Sequence, residues 1–329
     1  MSPMNLRIRY SVRTAQKLLL VIAQALSGTT SALSAQGPGE DRAILVTGAS
    51  SGIGLRMTEV LSANGFFVYA GARSAADLER LDAMDHVKSV RLDVTVQGEV
   101  DAAVELIRAE GRGLYGLVNN AGVAVVGPLI EMPEEDMAFE LDVNLMGPYR
   151  VTKAFAPLLI ESQGRVMNTS SLSGTVSGAF LGAYSMSKHG VEAFTDALAA
   201  EMSTLGVRVA AVEPGNYRSE IVASMLERLE ASGYTPENSR FGRSMYDLFG
   251  GPPDRSHLPE PDAVAEAVLD FMSSETPRPR YLVVPNQREA EVTIRKAIEE
   301  VVQLNGDQPF SYSREELIRM LDEALARGG

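Results

Sequence analysis

Cysteine is absent from the 329 residues, which excludes disulfides, thiolate metal ligands and a cysteine nucleophile. Histidine is scarce. The three copies, His86, His189 and His257, are far apart and none pairs with another at metal-ligand spacing, so no metal site is expected. No apolar run reaches the roughly 18 residues needed to read as a membrane-spanning helix. Positive charge is also short: 30 bases face 43 acids, a formal net charge of -13. A chain this acidic repels phosphate backbones, so nucleic acid is not an expected partner.

What is present is ordinary globular composition, 45% hydrophobic and 22% charged, enough for one large α/β domain or two small ones. The charge is unevenly spread. Residues 1–39 hold Arg7, Arg9, Arg13 and Lys17 and no acid, which leaves 26 bases against 43 acids in the remainder. Within that head, LLLVIAQAL at 18–26 follows a basic stretch and precedes Ala- and Ser-rich sequence, the pattern of a signal or transit peptide within 1–35. Helical spacing gives a second reading. Ile8, Val12, Ala15, Leu19, Ile22 and Leu26 line one face of a basic amphipathic helix over 4–26, suited to peripheral contact with a membrane. A disordered extension is the third reading, and all three stay open. Residues 27–41 are small, polar and Gly/Pro-bearing, a linker that closes the N-terminal extension at 41.

From 42 to 286 short apolar runs alternate with helical stretches. Strands are expected at 43–47, 66–71, 87–92, 114–118, 165–169, 207–212 and 281–284. Helices are expected at 53–63, 97–110, 134–161, 183–203 and 261–273. Near-continuous apolar strands separated by helices predict an α/β fold: a single, doubly wound parallel sheet of about seven strands with helices on both faces. Residues 216–258 break the rhythm, mixing a helical piece (Glu220 to Glu230) with Gly/Pro turns and large apolar residues. Two more helices, near 287–304 and 313–326, form a C-terminal extension over 287–329.

The first strand runs into TGASSGIG at 47–54 and then a helix. Gly48 allows a tight turn, Gly52 lets the backbone approach a pyrophosphate, and Gly54 allows close packing. The helix N-terminus offers unpaired N–H groups to the phosphates. Asp93 and Val94 follow the third strand, NNAG (119–122) ends the fourth, and Asn144 lies within a long helix. Ser171 follows the fifth strand, YSMSK spans 184–188, and Pro214-Gly215 follows the sixth. In this order the motifs resemble the short-chain dehydrogenase/reductase family, in the branch whose cofactor motif reads TGxxxGxG, over about residues 43–285. The YAGAR stretch, EPGNYRSE (213–220) and RYLVVP (280–285) loosely resemble its steroid- and retinol-dehydrogenase-like members.

The resemblance implies a Rossmann-type fold and an oxidoreductase that interconverts a carbonyl and an alcohol with a nicotinamide cofactor. Thr47, Gly48, Ser50, Ser51, Gly52, Ile53 and Gly54 would hold the phosphates, and Asp93 and Val94 would lie by the adenine. Asn120, Ala121 and Gly122 would line the adenosine side, while Pro214, Gly215 and Ser219 would frame the nicotinamide. Tyr184 would be the acid–base, and Lys188 would lower its pKa and hydrogen-bond the nicotinamide ribose. Ser171 would polarise the substrate oxygen, and Asn144 would hold a water in a proton relay. The residues agree with this much independently: Tyr184 and Lys188 are i, i+4 and share a helix face, and an ammonium beside a phenol favours the phenolate. His189, at i+1 from Lys188, faces elsewhere.

At the end of the second strand an acid would repel the 2′-phosphate of NADP. Here stands Ala72, followed by Arg73, which can grip that phosphate, and Ser74. NADP(H) is therefore the preferred cofactor, with NAD(H) possible, because Ser51 leaves the glycine loop without a second base. By resemblance 216–258 is the substrate lid. Its Tyr217, Ile221, Met225, Leu226, Leu229, Tyr234, Phe241, Met245, Tyr246, Leu248 and Phe249 suit an apolar small-molecule substrate, or serve only to pack the lid. A 3-oxoacyl-thioester reductase and a non-catalytic NADP-binding sensor or scaffold are the alternatives. By resemblance the helices at 134–161 and 183–203 correspond to the family's usual dimer-forming pair, so a homo-oligomer is expected; Val191, Phe194, Leu198 and Met202 recur at near-helical spacing and need burial. A cytoplasmic enzyme is expected too, since export would remove it from the cell's NADPH.

Overall fold

The computed structural model describes residues 42–245 and 258–328. The expectations for the N-terminal extension, and for Tyr246, Leu248, Phe249 and His257, fall outside the described residues.

Seven parallel strands form one sheet in the order β3-β2-β1-β4-β5-β6-β7. They are β1 (Ala43–Val46), β2 (Phe67–Ala72), β3 (Val87–Arg91), β4 (Gly116–Asn119), β5 (Arg165–Thr169), β6 (Arg208–Pro214) and β7 (Arg280–Val283). The helices between them are α1 (Gly52–Ala63), α2 (Ala75–Asp82), α3 (Gln97–Glu110), α4 (Glu134–Leu141), α5 (Gly147–Glu161), α6 (Gly182–Ser203), α7 (Ile221–Ala231) and α8 (Asp262–Ser273). After β7 come α9 (Gln287–Asn305) and α10 (Arg314–Gly328). The strand order reverses direction between β1 and β4, which opens a crevice outside their carboxyl ends, where ligands bind in sheets of this kind.

The apolar runs make strands because both sheet faces are covered. Successive residues of β1 alternate between two cores, as strand geometry requires. Ile44 and Val46 pack with Met57 and Leu61 of α1 and Val264, Val268 and Phe271 of α8. Ala43 and Leu45 pack with Val100 and Ile107 of α3 and Val151, Phe155 and Leu159 of α5. Each such large side chain removed from water stabilises the fold by about 1.5–3 kcal/mol.

The helix expected at 134–161 is interrupted. Asp142–Met146 form a π-helical turn, closed by Gly147 N–H donating to the Asp142 carbonyl. The local cause is Pro148, which has no N–H to give the α-helical bond to the carbonyl of Asn144. Turns of this type often sit at functional sites, and this one carries Asn144. The sequence reading also lacks α2, a short helix capped by Ser74, whose Oγ accepts from Asp77 N at 3.1 Å.

Candidate active site

The glycine loop is fastened to the chain around β4 by Thr47. Its hydroxyl accepts from Asn120 N at 2.9 Å and Ala121 N at 3.0 Å and donates to Val118 O at 3.3 Å. Asn120 Nδ2 returns bonds to the carbonyls of Thr47 and Gly48 at 3.1 and 3.2 Å. Thr47 is 1% exposed, so its side chain supports the loop from beneath. Gly48 has φ +64°, and a Cβ there would lie 2.8 Å from the Ala121 Cα. A Cβ on Gly54 would overlap the Gly48 carbonyl oxygen and Asn120 Nδ2. The loop thus packs at backbone distance in a way only glycine allows. Ser51, the N-cap of α1, makes no side-chain capping bond, which leaves the first-turn N–H groups of α1 for a ligand. Gly52, Arg56, Arg218 and Ser219 line a cleft beside this turn. The cradle fits a pyrophosphate.

Arg73 stands directly after β2, with its side chain 69% exposed and 3.8 Å from Asp93. Asp93 Oδ1 accepts from the Thr95 amide at 2.9 Å and hydroxyl at 2.7 Å. Burial works against its charge, but Thr95 together with Arg73 and Arg91 holds the carboxyl below its usual range. Ser74 is committed locally, since its hydroxyl also donates to Asp77. Arg80 of α2 reaches the glycine loop and donates to the Ser50 carbonyl while pairing with Asp77. The sequence reading missed this second base, because nothing local shows that α2 lies over the loop.

Ser171, Tyr184, Lys188 and Asn144 converge beyond the carboxyl ends of β4 and β5. Ser171 opens the 3-10 turn Leu172–Gly174, accepting from Ser173 N at 3.1 Å, and hydrogen-bonds the Tyr184 hydroxyl. Its neighbour Ser170 is buried with its hydroxyl beside Gly174. Tyr184 is in the first turn of α6, and Lys188 one turn on has Nζ 5.6 Å from the tyrosine ring centre. Lys188 is buried and donates to the Thr169 carbonyl at 2.9 Å. His189 is exposed and bonds the Ser185 carbonyl, as its place in the helix implies.

The electrostatics differ from the sequence expectation. Burial pushes the Tyr184 hydroxyl up to about 12; the Ser171 bond pulls it back, and the negative charge of Glu140 adds to the rise. Burial also brings Lys188 down to about 8 against the pull of Glu140 and Glu192. The lysine faces a backbone carbonyl, so in the chain by itself the phenol is not lowered toward neutrality.

Asn144 is completely enclosed. Its Oδ1 accepts from Val123 N at 2.8 Å, and its Nδ2 donates to Val123 O, Ser187 Oγ and Glu140. Gly122 lies against Asn144 and Lys188. Glu140 is a buried acid at the heart of the site that the sequence reading did not single out. After β6, Pro214 ends the strand and Gly215 N donates to Val283 O at 2.8 Å. Glu289 of α9 closes on Gly215 and accepts from Asn216 N at 2.9 Å, so the C-terminal extension touches this loop. Glu289 also closes a capping box with Asn286, donating its N–H to Asn286 Oδ1 at 3.0 Å and accepting from Asn286 Nδ2 at 2.9 Å.

The described part of the lid supplies one apolar wall. Met225, Ile221, Val222, Leu226 and Leu229 of α7 pack with Ala124, Val126, Leu181 and Tyr184. Arg228 on α7 is held by Asp136 at 2.6 Å and stacked 4.0 Å from the Phe139 ring centre. Phe241 meets Phe180 edge-on, and Tyr234 bonds the Gly242 carbonyl. Tyr217 does not belong to this wall; it is buried in the main core with Met57 and Tyr281. Of the four candidate interface residues, Val191 and Met202 are buried within the chain and Leu198 packs on the α3–α5 core, so their burial demands no partner.

A parallel sheet with a glycine cradle at its switch point and a Ser-Tyr-Lys group beside it defines a dinucleotide-dependent oxidoreductase. The short chain dehydrogenase model matches residues 42–230, and the chain belongs to that family. It is a dehydrogenase/reductase of CH–OH and C=O groups. It is 36% identical to the mitochondrial D-beta-hydroxybutyrate dehydrogenase of Bos taurus over 274 residues, 74% of this chain and 77% of that protein. It is 41% identical to retinol dehydrogenase 7 of Mus musculus over 197 residues, 59% of this chain and 61% of that protein. The fold matches that of a short-chain dehydrogenase from Streptomyces avermitilis with a TM-score of 0.64 and 28% identity, covering 87% of this chain and 97% of that one.

Proposed function

We propose that this chain is an NADP(H)-preferring oxidoreductase that interconverts an apolar alcohol and its carbonyl compound, with Tyr184 as acid–base. The observation that carries the reading is the meeting of Ser171, Tyr184 and Lys188 under an apolar wall, two sheet positions from the glycine cradle. The cofactor supplies or takes the hydride, and its oxidised ring brings a positive charge to the site. Tyr184 moves the proton to or from the substrate oxygen, and Ser171 holds that oxygen by hydrogen bonding. Lys188 shares a helix face with the tyrosine and binds the nicotinamide ribose. Asn144, in a π-turn whose carbonyl lacks the Pro148 donor, holds the relay water. Bringing the phenol from about 12 to about 8 requires roughly 5 kcal/mol of added preference for the anion. The cofactor's positive charge is the source that the chain by itself lacks, joined by Lys188 once its ammonium turns from the Thr169 carbonyl toward the ribose.

Arg73, directly after β2, and Arg80, on the Ser50 carbonyl, support preference for a 2′-phosphate. For the substrate, the α7 wall favours a retinol-like or steroid-like compound over a small hydroxy acid. A carboxylate there would need a cation, and Arg228 is already paired. The chain acts as a homo-oligomer, and the family match beginning at 42 leaves the basic head outside the catalytic unit. That head is a targeting or membrane-contacting extension of an enzyme that works where NADPH is available.

The test is a panel of retinoid, steroid and aliphatic ketones and alcohols alongside 3-hydroxybutyrate and acetoacetate, read by NADPH and NADH absorbance. Apolar compounds are expected to give the higher kcat/KM. Faster turnover of 3-hydroxybutyrate would overturn the substrate assignment.

A further inference from the structure

Glu140 lies on the inward face of α4, completely buried, one helical turn before Asn144. Packing at such a position asks only for an apolar side chain, and an enclosed carboxylate is a poor way to add stability. Its Oε1 accepts from Asn144 Nδ2 and from Ser187 Oγ at 3.1 Å, while Asn144 Nδ2 also reaches Ser187 Oγ at 3.0 Å. These three side chains form a closed ring next to Lys188. From α6 the carboxylate faces Lys188 and Tyr184, with Glu192 bearing on Lys188 from the next turn. From α7 it faces Arg228, which Asp136 of α4 already holds. Glu140 touches none of the groups expected to meet substrate or cofactor except through Asn144 and Ser187.

We propose that Glu140 is a positioning residue of the proton-transfer machinery, holding Asn144 and Ser187 in place and setting the pH at which the Tyr184–Lys188 pair gives up its proton. The inference rests on the Tyr184 reading above. The signs are consistent. An anion at Glu140 raises the proton affinity of both Tyr184 and Lys188. Burial pushes Glu140 itself up to about 7 against the pull of Lys188, so its charge changes in the range where the enzyme works. The pair then titrates as a coupled unit whose apparent pKa depends on a third group.

The experiment measures alcohol oxidation by the full-length enzyme as a function of pH for wild type, Glu140→Gln, Glu140→Leu, Glu140→Asp and Tyr184→Phe. Both charge-free variants are expected to move the acid limb of kcat/KM down by about one pH unit, the usual size of one close charge. Glu140→Leu packs without polar partners and keeps the test independent of whether Gln is accommodated. Glu140→Asp keeps the charge, so its limb is expected near the wild-type pH while its plateau falls. A limb unmoved in the charge-free variants, or moved as far by Asp, would overturn the proposal. So would failure of both charge-free variants to fold, which would assign Glu140 to stability. An inactive Tyr184→Phe beside an unmoved limb overturns this inference alone; a fully active Tyr184→Phe overturns the tyrosine reading with it.

Discussion

Replacing Arg73 by Ala and Ala72 by Asp should reverse the cofactor preference, and the geometry sets the size of the effect. The Arg73 side chain is 69% exposed and its one described ion pair, to Asp93 at 3.8 Å, is long. An exposed pair of that kind contributes about 0.5 kcal/mol, so little is lost when the guanidinium turns to a 2′-phosphate. A charge-assisted contact contributes about 1.5–3 kcal/mol, leaving a net of about 1–2.5 kcal/mol. That corresponds to a roughly 5- to 70-fold preference for NADPH over NADH in kcat/KM. Arg80, whose guanidinium lies on the Ser50 carbonyl, should account for a smaller part. Ala72 is the last residue of β2, so an aspartate there would repel the phosphate and accept from a ribose hydroxyl. The assay is steady-state reduction of one carbonyl substrate with each cofactor, for wild type, Arg73→Ala, Arg80→Ala and the double variant. The kcat at saturating cofactor should change little. Equal use of NADH and NADPH by the wild-type enzyme would refute the reasoning.

Gly54→Ala places a Cβ on the Gly48 carbonyl and Asn120 Nδ2. It is expected to cost about 1–3 kcal/mol of stability and to weaken cofactor binding more than tenfold, read by calorimetry and nicotinamide fluorescence. Glu213 is buried, and burial together with Glu192 and Asp196 pushes its carboxyl from an ordinary 4.5 up to about 7 despite Arg280. Because its folded pKa is the higher one, stability is lost as pH rises from about 4.5 to 7. Glu213→Gln removes that loss and leaves Arg280 its bonds to Glu192 and Asp196. Its unfolding free energy from urea denaturation should match wild type near pH 4.5 and exceed it by up to about 3 kcal/mol at pH 8; a gain at acid pH instead would reverse the sign and refute the assignment. Light scattering at micromolar concentration should give a multiple of the 35.4 kDa chain mass. A monomer would remove the oligomer from the account.

All seven strands were legible because each carries a local signal bounded by turn residues, for most of them a nearly continuous apolar run. The meeting of Ser171, Tyr184 and Lys188 was legible because Tyr184 and Lys188 share one helix and Ser171 follows a strand end. What was not legible depends on contacts distant in sequence. Glu140 reads as one acid among the several of α4, and only the packing of α6 against α4 makes it a buried partner of Lys188. Arg80 reads as a surface base on a helix of eight residues, too short to show a period. Glu289 belongs to a helix without a chemical motif, yet it closes on Gly215. The π-turn at Asn144 had a local signal in Gly147-Pro148, outweighed by the helical pattern on both sides. Tyr217 went the other way: its neighbours in the lid suggested a substrate contact, while the fold puts it in the core.

The central claim is that the Tyr184 hydroxyl moves the proton. Tyr184→Phe removes that oxygen alone and keeps the ring where it packs against α7. The measurement is kcat in both directions by NADPH absorbance, with cofactor affinity by fluorescence titration on the same sample. The account predicts a fall in kcat of about 10²–10⁴-fold with the dissociation constant for NADPH nearly unchanged. A variant that binds cofactor normally and retains more than about half of the wild-type kcat would contradict it.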